Sequence, residues 1–136
     1  MIQKIEHIGI AVKDADASEK VFNALFNQIP YKKEIVESEM VQTVFYQNGP
    51  NKIELLQALS PDSAIAKFIE KKGEGIHHIA FAVDDIYAEI ERLKGEGFQL
   101  IHETPKDGAD NKLIAFLHPK GTNGVLIELC MDKPLG

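Results

Sequence analysis

The sequence predicts an α+β fold made of two tandem βαβββ modules. Three observations carry that prediction: an internal repeat, a switch of hydrophobic period within each repeat, and turn residues at the same places in both. Sliding the chain along itself sets KIEHIGIAVKDADAS, from Lys4, against GIHHIAFAVDDIYAE, from Gly75, so that His7 falls on His78 at an offset of 71. The same offset carries Phe45 onto Phe116, and a three-residue insertion then brings KIELL onto LIELC, with Glu54 on Glu128. Matches at both ends of each half, in the same order, indicate a duplication.

In chain order, the first module occupies about residues 1–59, a connecting helix about 60–73, and the second module about 74–133, all within a single domain of 136 residues. Alternation of apolar and small or polar residues from Lys4 to Val12 predicts the first strand. Asp14 or Asp16 caps a helix whose residues Val21, Phe22, Leu25 and Phe26 form one apolar stripe, and the helix stops before Pro30. Strands follow near Lys32–Glu37, Val41–Gln47 and Lys52–Gln57, separated by Gly, Pro and Asn. The SPDS turn starts the connecting helix, Ser63 to Lys71, which presents Ile65, Phe68 and Ile69. In the second module Asp84 or Asp85 caps a helix with Ile86, Ile90 and Leu93 at i, i+4 and i+7, ended by Gly95 and Gly97. Its later strands are expected at Gln99–Thr104, Leu113–His118 and Val125–Cys130.

Composition narrows the class of protein. An apolar fraction of 44% and a charged fraction of 26% are those of a globular protein. The net charge of −6 argues against a nucleic-acid partner, which calls for a basic face. The lone Cys130 makes no internal disulfide, and neither a signal segment nor a membrane-length apolar run opens the chain, so a cytoplasmic protein with no membrane partner is expected.

Strand parity singles out four residues. His7 shares a face with Gly9 and Ala11, while Ile8, Ile10 and Val12 point the other way, and His78 repeats this with Ala80 and Ala82 opposite Ile79, Phe81 and Val83. The large side chains suit packing beneath helices, and the small ones leave space beside each His. Glu54 alternates with Ile53 and Leu55, and Glu128 with Ile127 and Leu129. A carboxylate inside so apolar a strand is costly unless paired or bound to a cation. Two imidazoles and two carboxylates form a mixed N/O set for Co²⁺, Mn²⁺, Ni²⁺, Zn²⁺ or Fe²⁺, with positions open to substrate oxygens. The fold class thus becomes two modules whose curved mixed sheets enclose one metal-binding cavity. His77, of opposite parity, is read as a supporting residue. His102 and His118 have no counterpart in the first half; His118 and Lys120, in HPKG, are the candidates for substrate contact, and a turn residue is the other reading of His118.

The stretches IEHIGIAV, KIELL, KKGEGIHHIAFAVDDI and AFLHPKGTNGVLIEL, which run from about Ile5 to Leu129, resemble the vicinal oxygen chelate superfamily (glyoxalase, bleomycin resistance, dioxygenase) and most closely its methylmalonyl-CoA epimerases. The resemblance implies metal-dependent epimerisation of methylmalonyl-CoA between its 2R and 2S forms through a chelated enolate. It implies His7, Glu54, His78 and Glu128 as ligands of a divalent ion, cobalt first, with Glu128 or Glu54 as acid/base groups. An acyl-CoA thioester ligand and a homodimer follow from the same resemblance. Some epimerases carry Gln at the position of Glu54, and some place a catalytic carboxylate on the preceding strand, where MVQTVFY has none. The rival readings are a glyoxalase-I-like lactoylglutathione lyase and a non-enzymatic antibiotic-binding protein of the same fold.

Overall fold

The computed structural model describes residues 1–134 and is α+β, with three helices and eight strands among them. Two compact units divide it: residues 7–77, and residues 1–6 together with 78 onward. Strand β1 (Ile2–Val12) and strand β5 (Gly75–Val83) each run through the division.

In the unit of residues 7–77, α1 spans Ala15–Phe26, β2 Lys32–Val36, β3 Val41–Asn48, β4 Asn51–Ala58 and α2 Ala64–Lys72. Strand β1 pairs parallel to β4, while β2–β3 and β3–β4 pair antiparallel, giving a mixed sheet of order β2-β3-β4-β1. Asp14 caps α1, accepting from the N–H groups of Asp16 and Ala17, and Asn27 ends it in the left-handed region at φ 52°, before Pro30. One part of the expected α1 stripe does not hold. Phe22 and Phe26 pack on Val12, Val44, Tyr46 and Leu55, but Val21 and Leu25 are 63% and 68% exposed. The helix is only shallowly seated, so an i, i+4 pair of phenyl rings suffices to bury its face, and the residues one position earlier turn to solvent.

Helix α2 brings a second difference. Ile65, with Phe68 and Ile69, packs on Ala11, Val41 and Leu56, which share strand parity with His7 and Glu54 rather than with the α1 side. The connecting helix therefore covers one end of the face on which the small residues were expected to leave space. Ser63 caps it through the N–H of Ala66, and Lys71 and Lys72 lie in its last turn, where cations complement the helix dipole.

In the other unit, α3 spans Ile86–Gly95, β6 Lys106–Asp107, β7 Lys112–Leu117 and β8 Ile127–Asp132. Strand β5 pairs parallel to β8, and β6–β7 and β7–β8 pair antiparallel, so this sheet is also mixed. Asp85 caps α3 through the N–H of Ala88, and Ile86, Ile90 and Leu93 are all buried against Val83, Ala115, Leu117 and Leu129. The strand expected at Gln99–Thr104 is not formed. That segment makes a single bridge, Leu100 to Leu117, and strand pairing begins only at Lys106. Thr104-Pro105 interrupts it, because proline offers no N–H to a ladder and restricts the residue before it. The last strand starts at Ile127 rather than Val125, because a 3₁₀ turn at Pro119–Thr122 draws Val125 back, its N–H donating to the Thr122 carbonyl.

These burial differences set an expectation for stability. Ile90→Ala should cost about 2–5 kcal/mol, as large-to-small changes in a packed core do, whereas Leu25→Ala should stay within about 0.5 kcal/mol. Urea denaturation of both variants measures this, and equal losses would show that α1 is seated more deeply than described.

Candidate metal and acid/base site

Each unit presents one His/Glu pair, produced by register. In residues 7–77, β1 pairs Gly9 with Glu54 and β3 pairs Phe45 with Glu54, so the carboxylate lies between a glycine and a phenylalanine on the face that carries His7. His7 Nδ1 lies 3.1 Å from Glu54 Oε2, and both residues are buried. In the other unit β5 pairs Ala80 with Glu128 and β7 pairs Phe116 with Glu128. His78 Nε2 lies 3.4 Å from Glu128 Oε1, again with both side chains buried. Gly9/Ala80, Glu54/Glu128 and Phe45/Phe116 are thus the same positions of the repeat, and small residues beside the carboxylates let each imidazole approach.

The donors suit a divalent cation on their chemistry. An imidazole nitrogen and a carboxylate oxygen converge in each unit, and a buried carboxylate is stabilised by a cation or a donor, never by apolar neighbours. In its pair each carboxylate has one imidazole alongside.

The phenylalanines beside the two carboxylates carry further aromatic residues. His78 meets Phe116 edge-on, with centroids 5.8 Å apart, and His102 lies 6.0 Å from the same ring. In the first copy Tyr31 lies 5.7 Å from Phe45. Tyr31 and His102 are 71 positions apart, the repeat offset. The repeat offset therefore gives His102 an aromatic counterpart, Tyr31, where none was expected.

His77 is turned away from the His78 position by strand parity and packs edge-on against Phe68 of α2, at 5.0 Å. Burial pushes its pKa down from 6.5 to about 4. His118 caps the 3₁₀ turn, its Nδ1 accepting the N–H of Lys120 at 3.1 Å, and the Lys120 side chain is exposed. A capping role explains His118 without a ligand.

The glyoxalase/bleomycin resistance protein/dioxygenase superfamily profile matches residues 6–116. An ethylmalonyl-CoA/methylmalonyl-CoA epimerase of Cereibacter sphaeroides is 41% identical over 95% of this chain and 98% of its own. The crystal structure of methylmalonyl-CoA epimerase from Mycobacterium tuberculosis superposes with a TM-score of 0.93 at 34% identity, covering 98% of this chain and 90% of that one. A Streptomyces coelicolor methylmalonyl-CoA epimerase variant in complex with 2-nitronate-propionyl-CoA superposes with a TM-score of 0.91 at 32% identity, over 97% of this chain and 96% of that one. The fold and these matches define a member of the vicinal oxygen chelate superfamily. Within it, the chain belongs to the methylmalonyl-CoA epimerase family, whose members are isomerases. No described helix is long and apolar enough to cross a membrane.

His77 gives the fold a pH dependence that can be measured. Between about pH 6.5 and pH 4 the unfolded chain binds a proton that the folded chain refuses. Its contribution to stability is therefore present above pH 6.5 and lost as pH falls towards 4. Relative to the wild type, His77→Gln should flatten the fall in urea midpoint between pH 7 and pH 4.5; an unchanged slope would remove His77 as its source.

Proposed function

We propose that this chain is an epimerase of methylmalonyl-CoA, with His7, Glu54, His78 and Glu128 as ligands of one divalent metal ion and the whole chain acting as a single domain. The observation that carries the reading is the repetition of a buried His/Glu pair at equivalent positions of both repeats. The relatives support it by their names, and the bound 2-nitronate-propionyl-CoA of the Streptomyces relative supports it by its chemistry. A nitronate is planar at carbon and carries its negative charge on oxygen, as an enolate does.

Methylmalonyl-CoA has a Cα–H between a thioester carbonyl and a carboxylate. The bound ion would supply Lewis-acid stabilisation to charge developing on these oxygens. Inversion needs a proton removed from one face of Cα and another delivered to the opposite face. Glu128 is the first candidate for one transfer, because a carboxylate accepts a proton at neutral pH where its amide cannot. Glu54 is the alternative. Lys120, exposed on its turn, is available to the phosphates of coenzyme A, and His118 shapes that turn. Cobalt is the first choice of metal; Mn²⁺, Ni²⁺, Zn²⁺ and Fe²⁺ suit the same donors. A cytoplasmic homodimer belongs to the same reading.

The rival chemistry is glyoxalase-I-like isomerisation of a glutathione adduct, which the names of the relatives disfavour. A binding protein without activity is disfavoured by the intact quartet.

Two outcomes test the proposal. Chelation should abolish epimerisation and a divalent ion should restore it; full activity in verified metal-free protein would overturn the metal's part. Glu128→Gln should lower turnover by roughly 10²-fold or more, with metal content largely kept, and Glu54→Gln should be milder. Near-normal turnover in Glu128→Gln, with loss in metal-loaded Glu54→Gln, would move the base to Glu54.

A further inference from the structure

We propose that Glu34 is the second proton carrier of the epimerisation; the inference rests on the function proposed above. Inversion at Cα requires an acid/base group on each side of the carbon, and Glu128 accounts for one. Strand β3, VQTVFYQN, contains no carboxylate. The strand beside it does. In the β2–β3 ladder Glu34 pairs with Thr43 and Lys32 with Phe45, and in the β3–β4 ladder Phe45 pairs with Glu54. Cross-strand partners share a side of a sheet, so Lys32, Phe45 and Glu54 form one row and Glu34 and Thr43 lie on the same face. The flanking residue Lys33 points the other way, where its Nζ lies 2.6 Å from Glu19 of α1.

The carboxylate of Glu34 is also held in place. Lys32 Nζ lies 3.2 Å from Glu34 Oε1 and 5.6 Å from the centroid of Phe45, whose ring is fully buried on the Glu54 face. An ammonium resting on that ring draws the carboxylate over the same face. The Glu34 side chain remains 30% exposed, which gives it the exchange with water that a proton carrier needs between turnovers. An ion pair this exposed contributes little to stability, so a change at Glu34 should be read in catalysis.

The step balances. In one direction Glu34 takes the Cα proton, the C–H electron pair moves into the thioester carbonyl to give the enolate, and protonated Glu128 delivers a proton to the opposite face. The carbonyl then re-forms as the pair returns to the new C–H bond. In the other direction the two carboxyl groups exchange roles, and water resets both. Lys32 is a positioning residue.

The test uses metal-loaded, full-length protein and each resolved epimer of methylmalonyl-CoA in D₂O. Glu34→Gln is expected to keep its metal and its KM within a few fold. Inversion should fall by roughly 10²-fold or more, while deuterium exchange continues from the epimer that Glu128 deprotonates. Glu34→Asp should recover part of the loss, and Lys32→Gln should displace the pH profile of inversion without changing metal content. Wild-type inversion by Glu34→Gln would overturn the assignment and leave the proposed function standing. Equal loss of exchange from both epimers, or loss of metal, would also overturn it by showing a structural role. Absence of any exchange in the wild type would overturn both readings.

Discussion

A carboxylate buried in the middle of an apolar strand must find compensation, and Glu54 and Glu128 both face this requirement. Glu54 and Glu128 sit among Ile, Leu and Phe, and each has an imidazole nitrogen within 3.4 Å. Had these residues been there for stability alone, an apolar side chain of similar size would serve as well or better. Small residues opposite them, Gly9 and Ala80, give up packing so that the polar groups fit. The sheets accept this because their other faces are well filled: α1 places Phe22 and Phe26 on Tyr46 and Leu55, and α3 buries Ile86, Ile90 and Leu93. On the His7 side of its sheet, α2 adds a further cluster around Ala11, Val41, Leu56 and Ile65.

The duplication made much of this readable in advance. Parity in β1 and β5 separated His78 from His77, and the ladders place Gly9 with Glu54 and Ala80 with Glu128 as the offset requires. Both modules share a local grammar of cap, helix and hairpin, and Asp14, Ser63 and Asp85 cap their helices through backbone N–H groups as their residue types predict. Local chemistry of this kind is carried by a few adjacent residues and needs no knowledge of tertiary structure.

What escaped the sequence depends on partners distant along the chain. Val21 and Leu25 match a helical period as well as Phe22 and Phe26 do, and only the seating of α1 decides which pair is covered. Gln99–Thr104 has the composition of a strand, but Thr104-Pro105 limits its pairing to one bridge. The docking of α2 on the His7 side of its sheet followed from no periodicity, since a helix with Ile65, Phe68 and Ile69 in line fits either face. Glu34 was hidden for a related reason. Its relation to Glu54 passes through two ladders and is invisible until the β2–β3 register is known.

The proposed function has the two His/Glu pairs serve one ion rather than one each. Metal stoichiometry of cobalt-reconstituted protein, measured beside His7→Ala and His78→Ala, tests it directly. One equivalent per chain, lost in either variant, is the expected result. Two equivalents per chain, with one retained when His7 or His78 is removed, would contradict a shared site.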